Sequence, residues 1–177
     1  MRWQKTMRNG AVAVGVALTL AGCSTGETGG GTSGADSGST VSTHSVAGVG
    51  TALTGADGRT LYFAEQETNG QIKCTGTCLS FWIPVTISTG TTPTAGTGVT
   101  GTLATLNRPD GSVQVTYDGK PLYTFAQDRG PGVANGNGFE DSFDGTAFTW
   151  HAATPSGAAA TGTTPTETAG ADNGYGY

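Results

Sequence analysis

Two pairs of side chains and one pair of thiols stand out by type and spacing. Tyr62 is followed five residues later by Glu67, and Tyr123 by Asp128, with Phe125 between the second pair. A phenol and a carboxylate at this spacing suit either of two roles. The acid can accept backbone N–H bonds in a turn while the phenol caps a neighbouring strand. Alternatively, carboxylate and aromatic ring can line a small polar pocket for a ligand. Cys74 and Cys78 flank Thr-Gly-Thr, and Gly76 lets the chain fold back so that the two Cβ atoms meet at about 3.8 Å. A structural disulfide, a redox-active pair and half of a metal site are the three readings of this spacing. The redox reading needs a basic neighbour, and Lys73 is the adjacent one. The metal reading needs further ligands, and the two histidines, His44 and His151, lie far from the thiols in sequence.

A third cysteine has a different setting. Arg2, Lys5 and Arg8 precede an apolar run from Ala11 to Ala21, which ends in Leu20-Ala21-Gly22-Cys23. A basic start, a short apolar stretch and small residues at the exit make a secretory signal peptide. The run is shorter than the roughly 20 apolar residues of a spanning helix. The Leu-Ala-Gly-Cys end resembles a bacterial lipobox, which implies diacylation of Cys23 and cleavage before it. Acyl chains at about 0.8 kcal/mol per buried methylene would then moor the protein to a membrane. The expected place is the cell envelope, on the outer face of the cytoplasmic membrane, or on an outer membrane where the host has one.

Catalysis has little footing. The chain contains no His-Glu-x-x-His and no phosphate loop ending in Gly-Lys-Ser/Thr. No cofactor is implied. Asn137, Glu140, Asp141 and Asp144 cluster between Gly136 and Gly145, but Phe139 falls where an EF-hand requires oxygen, so a solvated acidic loop is expected over a calcium site. Removal of residues 1–22 leaves five basic against thirteen acidic residues, a net charge of −8. Such a surface is repelled by phosphate backbones, which excludes nucleic acid as a partner.

The elements that must position these groups are strands. The 177 residues include 31 Gly and 7 Pro, with only 12% charged, a composition poor in the Glu, Lys and Arg that long helices use. Val113–Tyr117 alternates, Asp118-Gly119 is a tight-turn pair, and Leu122–Phe125 resumes an extended pattern, which together predict a hairpin. Asp57-Gly58 and Asp110-Gly111 mark further turns. Ala147–His151 reads as a closing strand, with Trp82–Ile87 as its counterpart earlier in the chain and Pro84 marking an edge. Only Thr77–Trp82 is suited to a helical turn.

The middle of the chain repeats itself. Ala56-Asp-Gly-Arg-Thr-Leu-Tyr62 aligns with Tyr117-Asp-Gly-Lys-Pro-Leu-Tyr123, an acid follows each Tyr, and Trp82 and Pro84 are echoed by Trp150 and Pro155. The expected organisation is a signal peptide at 1–22, a Gly/Ser/Thr linker at 23–44 and a folded β domain at 45–157. Within that domain the repeats span about 50–88 and 110–156, and a disordered tail occupies 158–177. The predicted fold is all-β: two diverged meanders packed as a small sandwich or barrel, with Leu61, Phe81, Trp82, Val113, Val115, Leu122, Phe125, Phe148 and Trp150 inside.

These features in this order resemble the secreted-repeat lipoproteins of bacteria, whose repeat carries a Tyr-x4-Asp motif and has no assigned function. The residues that carry the resemblance are the Asp-Gly-x-x-Leu-Tyr starts, Tyr123-Thr-Phe-Ala-Gln-Asp128, Cys74-x3-Cys78 before Trp82-x-Pro84, and Asp110-Gly-Ser-Val-Gln-Val-Thr-Tyr117. The first copy departs from the pattern, with Glu67 in place of Asp and Ala64 where the second has Phe125. The functional expectation is a membrane-anchored envelope module that binds a small ligand, an envelope polymer or a partner protein near Tyr123 and Asp128. The alternative is an envelope redox or metal-handling protein that uses Cys74 and Cys78.

Overall fold

The structure, a computed structural model, describes residues 38–162. Cys23, the expected signal peptide and most of the expected linker and tail lie outside those residues. Among them the chain forms eleven strands: β1 (Val41–Val46), β2 (Gly50–Gly55), β3 (Tyr62–Ala64), β4 (Trp82–Pro84), β5 (Thr86–Ile87), β6 (Leu103–Asn107), β7 (Val113–Tyr117), β8 (Lys120–Pro121), β9 (Tyr123–Phe125), β10 (Glu140–Phe143) and β11 (Thr146–Ala152). Helix is confined to two short 3₁₀ turns, Glu65–Glu67 and Gly76–Ser80, the second starting one residue before the predicted helical turn. No helix of the described residues is long and apolar enough to cross a membrane.

The all-β expectation holds, and the architecture is a half-barrel. One sheet has the order β10-β11-β3-β9-β4, a second has β5-β7-β6 with β8 also on β7, and β1 and β2 form a hairpin. The predicted hairpin at Asp118-Gly119 is present, with φ of 48° and 78° at the two turn residues. Positive φ at both positions gives the turn a twist that matches the flanking strands, which is why Asp-Gly serves there. Asp144-Gly145 makes the same turn between β10 and β11, with φ of 50° and 80°. The hairpin closes on β8, after which the chain crosses to the other sheet, so β9 pairs with β3 and β4.

The repeats are interleaved. Tyr62 and Tyr123, equivalent in the sequence, are direct antiparallel partners, so a local twofold axis passes between them. Strand β4 of the first repeat pairs with β9 of the second, while β11 of the second pairs with β3 of the first. The backbone bonds obey the same symmetry. Leu53 N–H donates to Ala153, Ala153 to Leu61 and Leu61 to Leu53; Val115 donates to Val85, Val85 to Leu122 and Leu122 to Val115. Each repeat thus completes its sheets with strands from the other.

Two buried clusters fill the interior. One gathers Tyr62, Trp82, Tyr123, Phe125, Phe148 and Trp150 with Cys74 and Cys78; the other gathers Leu53, Leu61, Phe63, Val115, Tyr117 and Leu122. Trp82 and Trp150, equivalent in the two repeats, stack at 3.8 Å with 10° between their planes. Phe81 departs from the expected core and is 42% exposed. Side chains alternate along a strand, and Trp82 takes the inward place, which turns both Phe81 and Ile83 outward. The folded region also begins earlier than the sequence placed it, because β1 starts at Val41 and includes His44. It continues past 157, where Ala159 bridges Ala153 and Ala160 N–H donates to Ala152.

Candidate functional site

Strand β3 is buried along its whole length because β11 and β9 flank it, and β9 lies between β3 and β4. The phenols of Tyr62 and Tyr123 therefore have no route to water and must find acceptors inside the protein. Each finds the acid of the other repeat. Tyr62 Oη donates to Asp128 Oδ2 at 2.6 Å, and Tyr123 Oη donates to Glu67 Oε2 at 2.7 Å. The second oxygen of each acid holds the loop that follows it. Asp128 Oδ1 accepts from Asn135 N–H at 2.9 Å, and Glu67 Oε1 accepts from Lys73 and Cys74 N–H at 2.5 and 2.6 Å. The spacing of five puts each acid on the turn just beyond its strand: Glu67 within the 3₁₀ turn, and Asp128 where its own N–H bonds to Phe125 C=O.

The electrostatics follow from burial. Both phenols are pushed well above the ordinary tyrosine range, chiefly by loss of water and further by the facing carboxylate. Burial also raises Asp128 above the usual carboxylate range, against the lowering effect of Tyr62, Asn135 and nearby Arg59. Arg108 lies beside this assembly and is 3% exposed. Its Nη1 donates to Gln114 Oε1 at 2.6 Å and reaches Tyr123 Oη at 3.3 Å, while Nη2 donates to Cys74 C=O at 2.8 Å.

A second carboxylate ties the two tryptophans. Asp141 on β10 accepts from Trp82 Nε1 at 2.7 Å on one oxygen and from Trp150 Nε1 at 3.0 Å on the other. Strands β10 and β4 are the two edges of the five-stranded sheet, so this carboxylate links the edges of the curled sheet. Phe143 on β10 meets Phe81 at 5.8 Å on the same seam.

With this geometry the expected sites can be placed. Tyr62, Glu67, Tyr123, Phe125 and Asp128 do come together, as a closed network in the interior. They line neither of two surface hollows, one bounded by Ala47–Val49 and Gly132–Asn135, the other by Glu140–Ser142 and Ala147–Thr149. Tyr123 and Asp128 each bond to a partner in the other repeat. Cys74 and Cys78 lie at disulfide distance, with Cα atoms 5.4 Å apart and both residues fully buried. The acidic stretch is a strand, and both Asp141 oxygens are taken by indoles, so the solvated loop expected there is corrected. Among the described residues, no three His, Cys, Asp or Glu are grouped to hold a metal.

Residues 104–154 match the model of a family described as a secreted repeat of unknown function. The match falls mainly on the second of the two repeats, in line with the resemblance read from the sequence. The matched segment contains β7, β9 and β11 together with Tyr123, Asp128, Asp141 and Trp150, so it includes one phenol and one acid of the exchanged pairs. Their partners, Tyr62 and Glu67, lie in the first copy, outside the matched residues. No curated protein and no solved structure matches the chain.

Sequence reasoning did not single out Arg108, Gln114 or a structural role for Asp141. Arg108 is isolated in the pattern and has no basic equivalent in the first repeat, where the corresponding place at the end of β1 holds Val46. The usable signal for Asp141 was an acid between two tryptophan-bearing strands, hidden by the acids around it.

Proposed function

We propose that this chain is a lipid-anchored extracytoplasmic module, acylated at Cys23, whose rigid head binds a protein partner of the envelope. The observation that carries the binding reading is a pair of large apolar side chains left in water. Phe81 is 42% and Ile83 41% exposed, side by side at the sheet edge, with Phe143 packed against Phe81. The interior of this domain is closed by hydrogen bonds and stacked rings, so its recognition chemistry resides on the outside. Contiguous apolar groups rimmed by polar ones mark interaction surfaces. Pro84 on the same strand blocks open-ended strand pairing, because Ile83 bonds inward to Thr124 by register and the missing N–H of Pro84 faces out. The patch thus favours side-chain contact over sheet extension. The family description, a secreted repeat, agrees with a place outside the cytoplasm.

Two measurements test this. Mass spectrometry of the native protein is expected to show a chain beginning at an acylated Cys23, and Cys23→Ala is expected to release it from the membrane fraction. A photo-crosslinking residue at position 83 is expected to capture one discrete partner in intact cells. The same residue at exposed Glu65 is expected to capture none. Equal crosslinking at both positions, or none at 83, would overturn the binding face.

A further inference from the structure

The pseudo-twofold covers one sheet edge and leaves its counterpart bare. Strands β1 and β6 are equivalent: Val41 faces Gly55 on β2 as Leu103 faces Tyr117 on β7. The outer edge of β1 is covered by a segment of the same chain. Thr40 and Val41 N–H donate to Thr94 C=O at 2.9 and 3.2 Å, and Gly96 N–H donates to Val41 C=O at 2.7 Å.

Strand β6 has the same needs. Asp118 N–H donates to Thr102 C=O and Arg108 N–H to Ser112 C=O. By the alternation of an antiparallel ladder, Ala104 and Leu106 then bond to β7, and Leu103, Thr105 and Asn107 turn their N–H and C=O outward. Among the described residues nothing bonds to that outer side, and Ala104, Thr105 and Asn107 are exposed. The other edges are protected: β1 by its cover, β4 by Pro84, β5 by its shortness, β8 by Pro121 and β10 by Glu140. Strand β6, Leu-Ala-Thr-Leu-Asn, has no charge, no proline and no cover. Such an edge templates pairing with another strand.

Charge and register select the occupant. The chain is acidic, with a net charge of −5, yet it holds no charged residue between Lys73 and Arg108. Copies of an acidic protein repel one another over most of their surface, and the β6 edge is a place where that repulsion has no local source. A charged partner finds nothing there to select it. The strand is also self-complementary. Outward-facing residues pair only with outward-facing residues, and an antiparallel partner uses all three of them when Thr105 sits on the twofold axis. That register sets Leu103 against Asn107, Thr105 against Thr105, and Ala104 against Leu106, a small residue against a large one. No like charges meet, and Thr–Thr neighbours across strands are favourable.

We propose that β6 is a self-association edge, on which a second copy of this chain lays its own β6 antiparallel, centred on Thr105. Leu103 N–H then donates to the partner's Asn107 C=O, Asn107 N–H to the partner's Leu103 C=O, and the two Thr105 residues exchange N–H and C=O. The β5-β7-β6 sheet continues across the axis into the partner. One strand pair is a small interface, at the weak and reversible end of the range. The edge is separate from Phe81 and Ile83, since Ile83 lies on β4 of the other sheet.

The test uses the chain from Ser24 onward, which contains every described residue and lacks Cys23. Sedimentation equilibrium and amide exchange by NMR are measured from about 10 μM to about 1 mM. The expected result is a monomer–dimer equilibrium, with exchange of the Leu103, Thr105 and Asn107 amides slowing about tenfold as dimer forms. Thr105→Pro removes an N–H that makes no bond within the chain, so it is expected to stay folded and become monomeric. Ala104→Cys and Leu106→Cys are expected to form an intermolecular disulfide when mixed and little when each is alone, because facing residues of a non-hydrogen-bonded pair lie within disulfide reach. A monomeric parent with fast exchange at every concentration would overturn the proposal. Protection independent of concentration would also overturn it, and would assign the cover to the same chain. A dimer that survives Thr105→Pro, or equal crosslinking of each cysteine variant alone, would place the contact elsewhere and overturn it too.

Discussion

Replacing Tyr62 with Phe removes one oxygen and leaves the ring against Trp82, 5.6 Å away in an edge-to-face contact. Asp128 Oδ2 then loses a donor at 2.6 Å and keeps only Asn135 N–H on its other oxygen. A buried hydrogen bond to a charged group contributes about 1.5–3 kcal/mol, so Tyr62→Phe is expected to cost about 2–3 kcal/mol. Tyr123→Phe is expected to cost less, about 1.5–2 kcal/mol, because Glu67 keeps two backbone donors. The phenols also set an alkaline limit. Their folded pKa lies far above the unfolded value near 10, so the stability they confer is present below pH 10 and is lost as pH rises. Between pH 10 and 11 linkage takes about 1 kcal/mol for each tyrosine, about 2 kcal/mol for both. Urea unfolding at a series of pH values, followed by tryptophan fluorescence, measures both quantities, and absorbance at tyrosinate wavelengths reports whether the native phenols ionise. A Tyr62→Phe cost below about 0.5 kcal/mol, or an alkaline slope unchanged in that variant, would refute the reasoning.

Asp141→Ala is expected to cost about 2 kcal/mol by unfolding and to shift tryptophan emission, since two indole N–H groups lose their acceptor together. Arg108→Met, measured the same way, is expected to cost about 3–5 kcal/mol, because Gln114 and the Cys74 carbonyl lose a buried charged donor. Removing the Cys74–Cys78 link by paired Ala substitution is expected to cost about 2 kcal/mol, the small loop entropy of a four-residue separation, with thermal unfolding as the readout. Burial raises Asp128 above its unfolded pKa, so its contribution is largest below the unfolded value and is lost as pH rises through the folded one. Asp128→Asn is therefore expected to flatten the acid side of the pH–stability curve.

The fold was legible where local chemistry decides it. Asp118-Gly119 specified its turn through backbone conformation alone, Pro84 marked an edge, and the repeated Asp-Gly-x-x-Leu-Tyr showed the duplication. The exchange of strands between repeats was not legible, because Leu122–Phe125 carries the same pattern whether it stays with β7 or crosses to β3 and β4. Phe81 was placed inside for a related reason: in Phe-Trp-Ile every residue is apolar, and only the sheet decides that Trp82 takes the interior. The Tyr-x4-acid spacing did indicate a joint role. Its partners were hidden, since each acid serves the tyrosine of the other copy, 66 residues away for Asp128 and 56 for Glu67. Arg108 gave no signal, as a single basic residue looks the same at a surface and at the centre of a polar network.

Fragment complementation tests the interleaved account most directly. Residues 38–98 and 99–162, expressed as separate chains, are each expected to lack native tryptophan fluorescence and cooperative unfolding. Mixed, they are expected to recover both as a one-to-one complex, because each supplies the phenol, the acid and the sheet strands that the other lacks. A folded, cooperative monomer formed by residues 99–162 alone would contradict the claim that the two repeats complete one another.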